Sequence, residues 1–102
     1  MTKKYKNSVN LEDFLIEKLQ DQEMAKEFLN VSLESLLEDS DFTSFLNSLE
    51  LVVKSRQSLL SFAKETNLSR SNLYGIFEGK KKPQLSTILK ILSKLGYTLK
   101  VA

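Results

Sequence analysis

The stretch from residue 59 to residue 78, LLSFAKETNLSRSNLYGIFE, constrains the fold of this chain more than any other. Ala63 offers a small side chain, and four positions later Asn67 tolerates the left-handed backbone of a tight turn. The spacing predicts a helix-turn-helix, because a small residue at the crossing point lets two short helices approach closely. The apolar residues that would pack the two helices together are Phe62, Leu68, Leu73 and Ile76.

The second helix of this motif is predicted to expose a polar face. Ser69 can cap the helix, since its hydroxyl can accept a hydrogen bond from a free backbone N–H. At about 100° per residue, Arg70, Ser71, Tyr74 and Gly75 lie opposite the apolar side, towards the major groove. Arg70 is the first candidate for reading a base, because its fork suits the two acceptors of guanine. Gly75 weakens an exposed helix by about 1 kcal/mol, and either close approach to DNA or neutral drift would explain it.

A basic loop, Gly79-Lys80-Lys81-Lys82-Pro83, follows this helix directly. Gly79 is predicted to stop the helix, and Pro83 to begin the approach to the next one. A run of lysines is ordinarily a solvated loop. Beside a reading helix it suits phosphate contact, which neutralises charge without reading sequence. We therefore assign Lys80, Lys81 and Lys82 to the DNA backbone.

Composition excludes several classes of function. The 102 residues, 41% of them hydrophobic, suffice for one small domain with at most one appended segment. The absence of cysteine and histidine removes disulfides, zinc sites, thiol nucleophiles and imidazole chemistry, so we expect no metal, no cofactor and no enzyme. No apolar run approaches the roughly 20 residues of a membrane span, and the basic start lacks the apolar core of a signal peptide. These features predict a cytoplasmic protein without a membrane or small-molecule partner.

The net charge of +2 hides a division along the chain. Residues 10–50 hold eleven acidic residues against two lysines, a net charge of −9, whereas residues 51–102 hold ten basic residues against two glutamates, a net charge of +8. A duplex attracts the basic half and repels the acidic half, which must lie away from DNA. The acidic half could bind a basic protein, or it could be solvated helix surface.

Apolar periodicity predicts an all-α fold of five to six helices. The second helix should begin after Asp21 as N-cap, the third should open near Ser40, and Gly96 should end the last helix. The acidic run at residues 38–41 suggests a boundary between an acidic segment, 1–40, and a DNA-binding domain, 41–102. The first helix carries the stripe Leu11, Phe14, Leu15 and Leu19, and the last carries Leu85, Ile88, Leu89, Ile91 and Leu92.

The tail Tyr97-Thr98-Leu99-Lys100-Val101 alternates apolar and polar residues and predicts a short C-terminal β-strand. No second strand is evident in the sequence, and a lone strand leaves its backbone groups unpaired. Pairing with the same strand of a second copy would solve this and would give the homodimer that palindromic operators require. A strand docked on its own chain, a frayed end, or a dimer formed through helices are the alternatives.

Three segments together resemble a known family: EFLNVSLESLLEDSDFTSFLNSLELVVKSR, LLSFAKETNLSRSNLYGIFEGKKKP and LSTILKILSKLGYTLKV. They look like the HigA-like addiction module antidote proteins, which are Xre/Cro-type helix-turn-helix antitoxins paired with RelE/HigB-type toxins. The resemblance covers about residues 10 to 101. It implies a type II antitoxin that silences a small basic mRNA-cleaving toxin and represses its own operon by binding the operator, usually as a dimer.

The family's recognition helix matches Ser69, Arg70, Ser71 and Tyr74 in this chain, whereas Asn67 replaces the commoner Gly and Gly75 replaces a frequent Lys or Arg. The resemblance does not say which surface holds the toxin. The stripe Leu11, Phe14, Leu15 and Leu19 is a candidate, although such stripes are more often core. A stand-alone Xre-type repressor of phage or plasmid origin is the alternative function, and an enzyme or a purely structural module is a third.

Overall fold

The computed structural model describes the backbone of residues 3–100 and the side chains of residues 11–100. The described backbone forms six helices and no β-strand, which confirms the all-helical class. No helix in this range is both long and apolar enough to cross a membrane. The helices are α1 (Lys3–Lys18), α2 (Gln22–Asp39), α3 (Phe42–Arg56), α4 (Leu59–Thr66), α5 (Arg70–Phe77) and α6 (Leu85–Leu95).

The chain divides into two compact units, one ending at Arg56 and the other beginning at Gln57. This division lies after α3, and the expected functional boundary between residues 40 and 41 stays a prediction. Ser40 has a left-handed backbone, with φ of 56°, and its N–H donates to the carbonyl of Leu36 to close α2. Asp41 then accepts hydrogen bonds from the N–H and the hydroxyl of Ser44. The acidic run therefore covers the end of α2 and the short turn to α3 within one unit, and α3 begins at Phe42, close to the expected Ser40.

In the N-terminal unit, α3 packs against both α1 and α2. Asp21 caps α2 as predicted, accepting from the N–H groups of Glu23 and Met24 at 2.9 and 3.2 Å. A hydrogen bond of 2.6 Å between the Ser32 and Ser48 hydroxyls joins α2 to α3. The buried apolar residues of this unit come from α2, from α3 and from Leu19, which directly follows α1: Leu19, Ala25, Leu29, Phe45, Leu46, Leu49, Val52 and Val53.

In the C-terminal unit, α4 contacts both α5 and α6. Gly96 ends α6 with φ of 96°, as predicted. The predicted stripe of α6 is correct at three positions and wrong at Leu85 and Leu89, whose side chains are exposed. The core consists of Phe62, Ala63, Leu73, Ile76, Phe77, Ile88, Ile91, Leu92 and Leu95.

The predicted C-terminal strand is not formed. Residues 97–100 have no regular secondary structure, and Val101 lies outside the described residues. The N–H of Tyr97 donates to the carbonyl of Leu92 at 2.9 Å, so it closes the end of α6. The described part of the chain offers no other strand with which this segment could pair. Alternation alone therefore does not make a strand here, because the described residues offer no second strand for pairing.

Candidate nucleic-acid interface

Three residues, 67–69, join α4 to α5 with the geometry that the helix-turn-helix pattern predicts. Asn67 is left-handed, with φ of 64°. Ser69 caps α5, because its hydroxyl accepts from the N–H of Asn72 at 3.0 Å. Ala63 is buried in α4, and its carbonyl accepts from the N–H of Leu68 at 3.1 Å, which closes the turn. Ala63 therefore lies buried in α4 and Asn67 forms the turn, as the spacing of the two residues predicts.

The two sides of α5 differ as the helical phase predicts. Leu73, Ile76 and Phe77 are buried, whereas Arg70 and Ser71 are exposed. The Tyr74 ring is half-buried, and its centre lies 5.6 Å from the guanidinium carbon of Arg70. This distance suits a cation–π contact. Tyr74, one turn further along α5, therefore holds Arg70, the first candidate for reading a base, on the exposed side of the helix.

An open groove with a volume of about 620 Å³ lies between this exposed side and the loop that follows. Arg70, Lys80 and Lys81 supply three positive charges to it, against one negative charge from Glu78. Sequence reasoning missed Glu78, although helical phase places it one turn beyond Tyr74 on the same side. The residues lining this surface, called the α5 groove below, are Arg70, Ser71, Tyr74, Gly75, Glu78, Lys80 and Lys81.

Of the eight predicted DNA-contacting residues, six line the α5 groove. Ser69 is exposed beside it as the cap of α5, and Lys82 is exposed in the loop without lining the groove. Gly79 has φ of 78°, and α5 ends before it, at Phe77. The Lys80 side chain is mostly exposed, and its ammonium lies 3.4 Å from Glu78 Oε1. The expectation that Gly75 is exposed is wrong, since this residue is buried.

The Lys81 side chain explains why Gly75 is buried. A Cβ atom at Gly75 would lie 3.2 Å from both Cγ and Cδ of Lys81. The ammonium of Lys81 continues to Asn72, where it donates to Oδ1 at 3.2 Å. The carbonyl of Gly75 accepts from the backbone N–H groups of Lys80 and Lys81, at 2.8 and 3.1 Å. The basic loop therefore folds back against α5. Asn72 is a second residue that sequence reasoning missed.

The candidate toxin-contact stripe on α1 is divided by the fold. Leu11 and Phe14 are 60% and 51% exposed, and Leu15 is half-buried. Leu19 is only 2% exposed and belongs to the core, so it cannot contribute to a contact surface. The Lys18 ammonium lies 5.2 Å from the centre of the Phe14 ring. Helix α2 adds three exposed apolar side chains: Met24, Val31 and Leu37.

Comparison with known families shows to which protein family the chain belongs. A family model described as "probable addiction module antidote protein" matches residues 10–102, which is nearly the whole chain and includes parts of both units. The chain belongs to this antidote family. It is therefore an antitoxin of an addiction module, as the resemblance implied, and the family implies a toxin as its partner. No curated protein and no solved structure matches the chain significantly.

Proposed function

We propose that this antitoxin binds its own operator through the α5 groove and represses its operon, and that it neutralises a RelE/HigB-type mRNA-cleaving toxin through its acidic N-terminal unit. In this proposal it is a HigA-like, Xre/Cro-type helix-turn-helix protein that acts in the cytoplasm as a homodimer and without catalysis. The observation that carries the DNA-binding part is the position of Arg70, Lys80 and Lys81 around one open groove on α5.

The size and charge of the C-terminal unit support DNA binding. Residues 57–102 hold eight basic residues against two acidic ones, a net charge of +6. An α-helix such as α5 is about 10–12 Å across with its side chains, so it fits the roughly 12 Å width of the major groove. With α5 in the major groove, Arg70 would contact base edges, and the lysine loop would contact phosphates. A homodimer would present two such helices to half-sites about 34 Å apart.

The outer side of α2 supports the toxin-binding part. Four glutamates recur on this side at intervals of four, seven and four residues, so they form a stripe along the helix. Val31 lies at the edge of the stripe and is 60% exposed, and Met24 is exposed beside it. Carboxylates would attract a basic toxin, and the apolar side chains would provide contact area without the cost of burying charge. The stripe consists of Glu23, Glu27, Glu34 and Glu38.

A gel-shift titration with the chain's own promoter tests the DNA-binding part. We expect a retarded complex at nanomolar to micromolar protein and a change in its mobility when the protein from the adjacent reading frame is added. A scrambled duplex of the same length should bind much more weakly. Equal affinity for the two duplexes would contradict operator recognition.

Substitution of Val31 tests the toxin-binding part. Val31→Arg places a like charge against a basic toxin and removes an apolar contact, so it should abolish rescue of growth when the toxin is co-expressed. The matched control is Leu37→Arg, since Leu37 lies on the same helix and is 84% exposed, but is about 120° away from Val31. Both variants should bind the operator normally. Full rescue by Val31→Arg would show that the toxin binds elsewhere.

A further inference from the structure

We propose that Gly75 and Asn72 hold the Lys81 side chain in one position, so that its ammonium is already ordered when it contacts a DNA phosphate. Lys80, in contrast, contacts DNA as an ordinary mobile lysine. Gly75, Asn72 and Lys81 are called the lysine seat below. The inference rests on the proposed DNA binding and assigns Gly75 a positioning role in place of direct approach to DNA.

The first support is that Gly75 is needed for space and not for its backbone. Its φ is not positive, in contrast to Gly79 and Gly96, so any L-residue could adopt this conformation. The carbons Cγ and Cδ of Lys81 lie 3.2 Å from the position of a Cβ atom at Gly75, and Cε lies 3.4 Å from it. Even one methyl group here would press on the stem of Lys81.

The second support is that the loop backbone cannot move away easily. The Gly75 carbonyl accepts from the N–H groups of both Lys80 and Lys81, at 2.8 and 3.1 Å. A methyl group at residue 75 would therefore displace the Lys81 stem, and we expect this displacement to weaken the hydrogen bond from the Lys81 ammonium to Asn72. Gly75 thus leaves space for the stem of the Lys81 side chain, and Asn72 binds its ammonium group.

The third support is the donor count of the ammonium group. Lys81 uses one of its three N–H donors on Asn72 Oδ1, at 3.2 Å, and two remain for phosphate oxygens. Both lysines are exposed, but the Lys81 stem lies against Gly75, whereas the Lys80 side chain, 76% exposed, faces Glu78 at 3.4 Å. A side chain ordered before binding loses less conformational freedom on binding. Lys81 should therefore contribute more to DNA affinity than Lys80, although both carry the same charge.

The test is a double-mutant cycle between Gly75→Ala and Lys81→Ala, measured by fluorescence anisotropy. The two probes are a duplex carrying the chain's own promoter and a scrambled duplex of the same length. Gly75→Ala should weaken binding to both duplexes by about threefold to tenfold, the range expected for ordering one long side chain. In the Lys81→Ala background, which lacks the stem, the same substitution should have no further effect. A full effect of Gly75→Ala in that background would overturn the inference, because Gly75 would then act on DNA directly.

A measurement on the free protein separates this inference from DNA binding itself. In the NMR spectrum, the Lys81 side-chain methylenes should show contacts to the Gly75 α-protons and slower motion than those of Lys80, and Gly75→Ala should remove both signatures. Equal mobility of Lys81 and Lys80 would overturn the lysine seat, whatever the DNA result. Wild-type protein that binds neither duplex would overturn the proposed DNA binding, and with it the phosphate role of Lys81. Equal affinities of the wild type and Gly75→Ala would overturn this inference alone.

Discussion

Replacing Arg70 with alanine should remove base reading while leaving the fold intact. The side chain is exposed, and its one described contact is with the Tyr74 ring, at 5.6 Å. A cation–π contact at an exposed site contributes about 0.5–1 kcal/mol, so the free energy of unfolding should fall by no more than this. The variant should therefore be folded, and a change in its DNA affinity can be attributed to the interface.

The expected loss of affinity follows from the contact that Arg70 would make. A bidentate contact to guanine contributes about 1–3 kcal/mol of discrimination, which corresponds to about fivefold to 150-fold in operator affinity. The scrambled duplex should lose much less, because it offers no matched base. Arg70→Lys is the matched control. It keeps the charge and loses the fork, so it should retain non-specific affinity and lose most of the preference for the operator.

Fluorescence anisotropy at several salt concentrations would measure both quantities for each variant. The slope of log affinity against log salt reports phosphate contacts, and the ratio between the two duplexes reports base reading. Arg70→Ala should change mainly the ratio. Operator binding by Arg70→Ala that equals that of the wild type would refute the assignment of α5 as the reading helix. An equal loss on both duplexes would show that Arg70 contacts only the backbone.

Three further predictions concern the loop, the core and a helix cap. Changing Lys80, Lys81 and Lys82 together to Gln should weaken binding to all duplexes alike and reduce the salt slope by up to about 2.7, which a salt titration would measure. Leu73→Ala should lower the free energy of unfolding by about 2–5 kcal/mol in a urea titration, because this side chain is fully buried between α5 and its neighbours. Hydrogen bonds from Ser44 lower the pKa of Asp41 below its ordinary 3.8, so Asp41 stabilises the fold above that pH, and this contribution is lost as the pH falls through the lowered pKa. Asp41→Ala should therefore unfold at a lower temperature than the wild type at pH 7, and the two melting curves should converge in acid.

Features that depend on a few neighbouring residues could be predicted well. Asn67 adopts the left-handed backbone, Ser69 caps α5, and Asp21 caps α2, all as their positions in the sequence indicate. Each of these interactions is completed within four residues along the chain. Six of the eight residues assigned to DNA line one groove, because four of them lie on α5 and two lie in the loop that directly follows it.

The chain by itself determined the helices, their caps and the turn between α4 and α5, since these depend on local hydrogen bonds and backbone preferences. Packing between distant segments decided the rest. It buried Leu19 while exposing Leu11, packed α3 against α1 and α2, and provided no second strand among the described residues for the segment 97–100. It also covered Gly75 with Lys81. Helical phase gives the direction of a side chain, whereas only the folded chain decides what lies in that direction.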